Sequence, residues 1–80
     1  MEFDTVLQKV IALAGEQFPD DKQKIGKAST ASDIAAWNSL SHVMFIAGIE
    51  RSFGIKFDLL QMIDMKSVSD IARATFDMLK

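Results

Sequence analysis

The chain has 80 residues, of which 49% are hydrophobic and 25% are charged, as expected for one small globular domain rather than a disordered segment. It contains no cysteine and only one histidine, which excludes disulfide scaffolds, cysteine nucleophiles and the usual structural zinc sites. The net charge is −2 and no basic segment is present, so electrostatic binding of nucleic acid is not expected. The sequence therefore predicts a single domain over residues 1–80 without a metal site.

No segment has the pattern of a targeting signal or a membrane span. The N-terminal residues from Met1 to Asp4 lack the basic and apolar regions of a secretory signal. The uncharged stretch at residues 34–49 is interrupted by polar side chains and is shorter than the ~20 apolar residues that a span needs. We expect a soluble, cytoplasmic and monomeric protein without stable membrane insertion.

The first helix is predicted at residues 3–17. Apolar residues recur there with the spacing of one helix face, and Pro19 ends the pattern because proline cannot continue a helix. Residues 18–37 are rich in turn formers and predict a long loop. A loop of this length needs attachment to the rest of the domain, and the candidates are Ile25, Ile34 and Trp37.

The second helix begins after this loop, and either Asn38 or Ser39 can cap it because both side chains accept hydrogen bonds from the first turn. Gly54 is predicted to end it as the residue after the C-cap. The helix is apolar nearly all round, which indicates a central position or a second apolar face for a partner. The side predicted to face the core contains Phe45, Ile46, Ile49 and Phe53.

Two further helices are predicted near the C-terminus. Residues 58–64 have the pattern of two helical turns capped by Asp58, and Ser67 with Asp70 resembles a capping box that opens the last helix. No segment alternates with period two, so the predicted fold is all-α: a small bundle of three main helices plus one short helix, with a long first loop. The predicted core contains Leu7, Val10, Ile11, Phe45, Ile46, Ile49, Phe53, Val68, Ile71 and Phe76.

Ser39 and His42 are the only residues that suggest chemistry. They lie three positions apart on one helix and so near each other, but a nucleophilic site also needs an orienting acid and an oxyanion hole. We therefore favour His42 as a surface or half-buried structural residue and do not expect an enzyme. A phosphate ester on Ser39 would be electrostatically favourable, because a helix N-terminus stabilises negative charge.

Three segments carry a family resemblance: DIAAWNSLSHV at residues 33–43, IERSFGIKF at 49–57 and SVSDI at 67–71. They resemble acyl carrier proteins, whose Asp-Ser-Leu motif opens the second helix, and the resemblance covers nearly the whole chain. It implies that Ser39 carries a phosphopantetheine arm, transferred from coenzyme A by a phosphopantetheinyl transferase. The thiol of the arm then holds acyl groups as thioesters for acyl-activating or acyl-transferring enzymes.

The chain departs from this family at two places. Asn38 stands where the family has aspartate, so a cap is kept but an anionic or metal contact to the transferase would be lost. The partner-facing side of the second helix is generally acidic in the family, whereas here it is neutral to slightly basic. The residues predicted to bind a partner there are Asn38, Leu40, Ser41, Met44, Ala47 and Arg51.

This neutral face predicts a dedicated partner that recognises shape and methyl groups, and it favours a specialised acyl-transfer pathway over general fatty acid synthesis. The alternative is an unmodified helical module that uses the second helix as a docking surface. Trp37 is expected to hold the long loop rather than to shield an acyl chain. Methionines suit either an adjustable acyl cavity or core filling, and this applies to Met44, Met62 and Met65.

Overall fold

In the computed structural model, which describes residues 2–79, four α-helices follow one another along the chain. They are α1 (Phe3–Gln17), α2 (Ser39–Phe53), α3 (Leu59–Asp64) and α4 (Val68–Met78). The described residues contain no strand, only an isolated bridge between Thr30 and Ser67. The all-α prediction is confirmed, with three main helices and one short helix.

The helix ends lie where the sequence signals predicted them. Gly54 ends α2 in the left-handed conformation, with φ of 67°, and its N–H donates to the Glu50 carbonyl at 2.8 Å. Glycine adopts this conformation without the steric cost of a Cβ atom. Asp58 and Ser67 cap α3 and α4, and each forms a reciprocal capping box with the residue three positions later.

The long first loop is more ordered than predicted. Pro19–Lys24 forms a 3₁₀-helix, which the sequence analysis had assigned to the loop. Proline at the first helical position presets φ, and Asp20 and Asp21 lie in the first turn where negative charge is favoured. Of the three residues expected to attach the loop, Ile34 and Trp37 are buried and Ile25 is half-buried.

The core lies where α1 packs against α4 and α2. Seven of the ten predicted core residues are buried, whereas Ile11, Phe53 and Phe76 are only half-buried and pack against the edge of the core. Lys9 lies over the ring of Phe53, so this face of α2 borders solvent. The loops supply core side chains that helical periodicity cannot reveal: Phe18, Ile34, Trp37, Phe57 and Met65.

Within residues 2–79, the helices are too short or too polar for any of them to cross a bilayer. The short helix α3 differs from the others because none of its residues is buried. It is connected to the fold mainly through its flanking residues Phe57 and Met65, which are both buried. Within α3, Met62 is the half-buried apolar residue that packs against the core.

Candidate functional site

The N-terminus of α2 is capped by Asn38 and not by Ser39. The N–H of Ser41 donates to Oδ1 of Asn38 at 3.0 Å, and the N–H of Asn38 donates to Oγ of Ser41 at 2.8 Å. The Ser41 hydroxyl also donates to the carbonyl of Ala36 at 2.7 Å. The two bonds between Asn38 and Ser41 show that Asn38 is the N-cap residue. They also engage the Ser41 hydroxyl in the structure of the helix end.

Ser39 lies at the first position of α2 and is exposed. Its hydroxyl has no hydrogen-bond partner among residues 2–79, although two neighbouring side chains form the cap. As the first residue of α2 it lies at the positive end of the helix dipole, which favours an anionic substituent. Ser39 is therefore an accessible hydroxyl in the electrostatic setting that the sequence analysis predicted.

A cleft of about 770 Å³ opens beside Ser39, between the end of the first loop, α2 and α3. We call it the Ser39 cleft. Its polar rim includes Thr30, Ser32, Asn38 and Lys66. Its remaining walls are mainly apolar and consist of Ala31, Trp37, Val43, Leu59, Met62, Ile63 and Met65, with His42 among them.

His42 occupies one wall of the cleft and is half-buried, as expected for a structural histidine. The indole N–H of Trp37 donates to Nδ1 at 2.9 Å, so Nδ1 is the unprotonated nitrogen of the ring. Nε2 then carries the hydrogen and donates to the carbonyl of Met62 at 3.0 Å. Since both ring nitrogens are engaged, neither is placed to take a proton from Ser39.

Trp37 holds the first loop against the helices. Its indole ring stacks on Phe18 with centroids 5.4 Å apart, and it meets the edge of Phe45 at 5.7 Å. The side chain is 4% exposed, yet it also contributes to the wall of the cleft. The expected role in attaching the loop is confirmed, and the position of the ring allows contact with a bound ligand as well.

The predicted partner face of α2 is largely accessible. Leu40 and Met44 are 72% and 52% exposed, and Arg51 and Asn38 are exposed too, while Ala47 is half-buried. Met44 does not line the cleft, in contrast to Met62 and Met65, so an acyl-cavity role fits only the latter two.

Ser41 does not belong to that face. It lies 100° around the helix from Leu40, and its hydroxyl donates to the carbonyl of Ala36 in the preceding loop. Its side chain is half-buried and already bonded in the cap, and a partner contact by Ser41 stays a prediction. Glu50, the acidic residue of α2, accepts a hydrogen bond from the N–H of Phe57 at 2.8 Å, so its carboxylate is oriented towards the segment after α2.

Several cleft residues were not predicted from the sequence, namely Thr30, Ala31, Ser32, Val43, Leu59, Ile63 and Lys66. One signal was present: α3 has only six residues, LLQMID, and four of them are apolar. A helix this short cannot bury apolar residues on several sides, so an exposed apolar surface follows from its composition. The contribution of Thr30 depends on loop geometry, for which the sequence offers no comparable signal.

Within residues 2–79, no three histidine, aspartate or glutamate side chains lie close enough together to hold a metal ion. No protein-family model matches the sequence, and no curated protein is significantly similar to it. The functional assignment therefore depends on the geometry of the Ser39 cleft and on the motifs of the sequence.

Proposed function

We propose that the protein is a cytoplasmic carrier that holds acyl groups as thioesters on a phosphopantetheine arm attached to Ser39. The observation that carries this proposal is the exposed Ser39 hydroxyl, which has no hydrogen-bond partner among residues 2–79 and lies beside an apolar cleft. The cap formed by Asn38 and Ser41 supports it, because a serine that caps its own helix would have its oxygen engaged. The motif resemblance to acyl carrier proteins points to the same residue.

The attachment reaction requires little from the carrier itself. The Ser39 oxygen attacks the phosphorus of coenzyme A that bears the pantetheine arm, a P–O bond forms, and the bond to the departing adenosine bisphosphate breaks. A base on the transferase takes the hydroxyl proton. The carrier supplies an accessible nucleophile and a helix N-terminus that stabilises the resulting phosphodiester. The thiol of the arm then supplies the thioester chemistry that a chain without cysteine lacks.

The Ser39 cleft supports a role in shielding the attached acyl group. Val43, Met62 and Met65 offer apolar surface next to the attachment point. Transfer of apolar surface from water to such a wall is favourable by about 0.8 kcal/mol for each buried CH₂ group. The unbranched methionine side chains can adjust to groups of different shape.

Partners of this carrier are a phosphopantetheinyl transferase and enzymes that load or accept acyl groups. Leu40 and Met44 offer them an apolar docking surface, and the carboxylate of Glu50 is turned to the loop after α2. Recognition through apolar contacts rather than charge favours a specialised acyl-transfer pathway with a dedicated partner.

One observation favours a second candidate, an unmodified module that docks through α2 and α3. Leu59, Leu60 and Ile63 are 70%, 74% and 61% exposed, and Val43 on α2 is 54% exposed. Apolar side chains clustered at a surface are typical of protein-binding sites. This candidate requires the same surface but no covalent arm on Ser39, so the two candidates differ in one measurable property.

Intact mass after incubation with coenzyme A and a broad-specificity transferase distinguishes them. We expect one phosphopantetheinyl addition to the wild-type chain and none to Ser39→Ala. Ser52→Ala, which changes another exposed serine of α2, is the matched control and is expected to be modified as wild type. An unmodified wild-type chain under conditions that modify an established carrier would contradict the proposal and favour the docking module.

A further inference from the structure

The attachment of α3 depends on few interactions. None of its six residues is buried, and the buried residues Phe57 and Met65 lie outside its two ends. Within residues 2–79, the bond from His42 Nε2 to the carbonyl of Met62 is the one hydrogen bond that joins α3 to another helix. This bond lies in the wall of the Ser39 cleft. A displacement of α3 from α2 would therefore also change the width of the cleft.

The same imidazole makes a second bond that fixes its protonation state. Nδ1 accepts from the indole N–H of Trp37, which is possible only while Nδ1 has no hydrogen. Trp37 is 4% exposed, so its N–H has little access to water as a substitute acceptor. A protonated imidazole would present an N–H to the indole N–H and leave that buried donor without a partner.

We propose that His42 is a pH-sensitive latch for α3. The neutral imidazole connects Trp37 to Met62 and holds α3 beside α2. The imidazolium keeps the Nε2–H but cannot accept from the indole of Trp37, so the ring moves away from the indole N–H and α3 is released with it. Release widens the Ser39 cleft and exposes its apolar wall. The inference does not require Ser39 to be modified, because both bonds exist in the chain without an arm.

Few charged groups line the wall that contains the imidazole. Among the residues that line the cleft, the first loop, α2 and α3 contribute no charged side chain other than His42 itself. The segment after α3 contributes Lys66. No carboxylate lies among the lining residues, so an imidazolium in this wall has no anionic partner there.

The test uses the fact that the chain has one histidine and one tryptophan, so their signals are unambiguous. Long-range ¹⁵N–¹H NMR of the imidazole is expected to show the Nε2–H tautomer at neutral pH. The methyl resonances of Met62 and Met65 are expected to shift in parallel with protonation of the ring. Met44 and Met78 are exposed and outside the cleft, and their methyls serve as internal controls. When the imidazole is protonated, the protection of the α3 backbone amides from hydrogen exchange should fall at least about fivefold relative to that of α1 and α4.

Two variants separate the latch from a merely structural role. His42→Gln cannot be protonated but retains an N–H donor for the Met62 carbonyl, so the methyl shifts should lose their pH dependence. Trp37→Phe keeps an aromatic ring but removes the indole donor, so the pH response of Met62 and Met65 should weaken. An Nδ1–H tautomer in the wild-type protein, or methyl shifts that do not follow the imidazole, would overturn the proposal even if a variant fails to fold.

Discussion

The N–H of Ser41 donates to Oδ1 of Asn38 at 3.0 Å, and the N–H of Asn38 donates to Oγ of Ser41 at 2.8 Å. Ser39 lies between these two residues in the sequence, and its side chain takes part in neither bond. This arrangement separates two tasks that one serine at a helix start usually combines. Asn38 and Ser41 satisfy the first helical turn, and the Ser39 hydroxyl is left accessible. Asn38 therefore supplies the capping oxygen beside the proposed attachment site without engaging its hydroxyl.

The cap predicts an unequal response to three alanine substitutions. Asn38→Ala and Ser41→Ala should each lower the free energy of unfolding by about 0.5–2 kcal/mol. The first leaves the N–H of Ser41 without its acceptor, and the second leaves the N–H of Asn38 without its acceptor. Ser39→Ala should change it by less than about 0.5 kcal/mol, as expected for an exposed side chain outside such a feature. Urea unfolding measures all three. A loss in Ser39→Ala as large as in Asn38→Ala would show that Ser39 is the cap.

A second prediction concerns the transferase. Asn38→Asp keeps a capping oxygen and adds the anion found in the family motif, so modification of Ser39 by a broad-specificity transferase should become faster. The rate is measured by intact mass over time at limiting enzyme. Asn38→Ala separates the effect of the charge from that of the cap and should be slower than wild type. An unchanged or slower rate for Asn38→Asp would mean that the transferase does not use an acidic contact at this position.

A third prediction compares two core positions on α2. Ile49 is fully buried, so Ile49→Ala should cost about 2–5 kcal/mol, a large part of the stability of a small domain. Phe53 is half-buried beside Lys9, so Phe53→Ala should cost less, since part of its ring already contacts solvent. Chemical denaturation measures both. A larger loss for Phe53→Ala than for Ile49→Ala would contradict the packing described for this side of α2.

A fourth prediction concerns partner recognition. Met44 is 52% exposed on a face with few charges, so Met44→Glu and Met44→Lys should both slow acyl transfer by at least about fivefold. The wild-type rate should respond weakly to added salt, since few exposed ion pairs can form. Stability should change by less than about 0.5 kcal/mol.

The matched control for Met44 is Gln8→Glu, which places the same charge at an exposed position of α1 and should leave acyl transfer unchanged. The measurement is the acyl-transfer rate against ionic strength with an enzyme found by pull-down. A steep fall of the acyl-transfer rate with added salt, or an unchanged rate in both Met44 variants, would show that the partner binds elsewhere on the surface.

The helices could be predicted because their signals are local. Pro19, Gly54, Asp58 and Ser67 act through their own backbone geometry or capping bonds, and each lies at or next to a helix end in the structure. The 3₁₀-helix was missed because a run of turn formers is equally compatible with an irregular loop.

The site could be predicted only in part. Ser39 was found from its place in the motif, but the bonds from Trp37 through His42 to Met62 join residues up to 20 positions apart. Such contacts depend on how the loop and α3 pack, which no periodic pattern encodes. The burial of Phe18 has the same cause, since it stacks on Trp37 across the first loop.

The central claim is that Ser39 is the attachment site, and fragmentation mass spectrometry of the modified protein tests it most directly. Trypsin cleavage after Lys27 and Arg51 yields one peptide that contains both Ser39 and Ser41. Fragments that break the chain on either side of Leu40 assign the adduct to one serine or the other. We predict that the phosphopantetheine is on Ser39 alone. An adduct on Ser41 or on any other hydroxyl, or no adduct at all, would contradict the account.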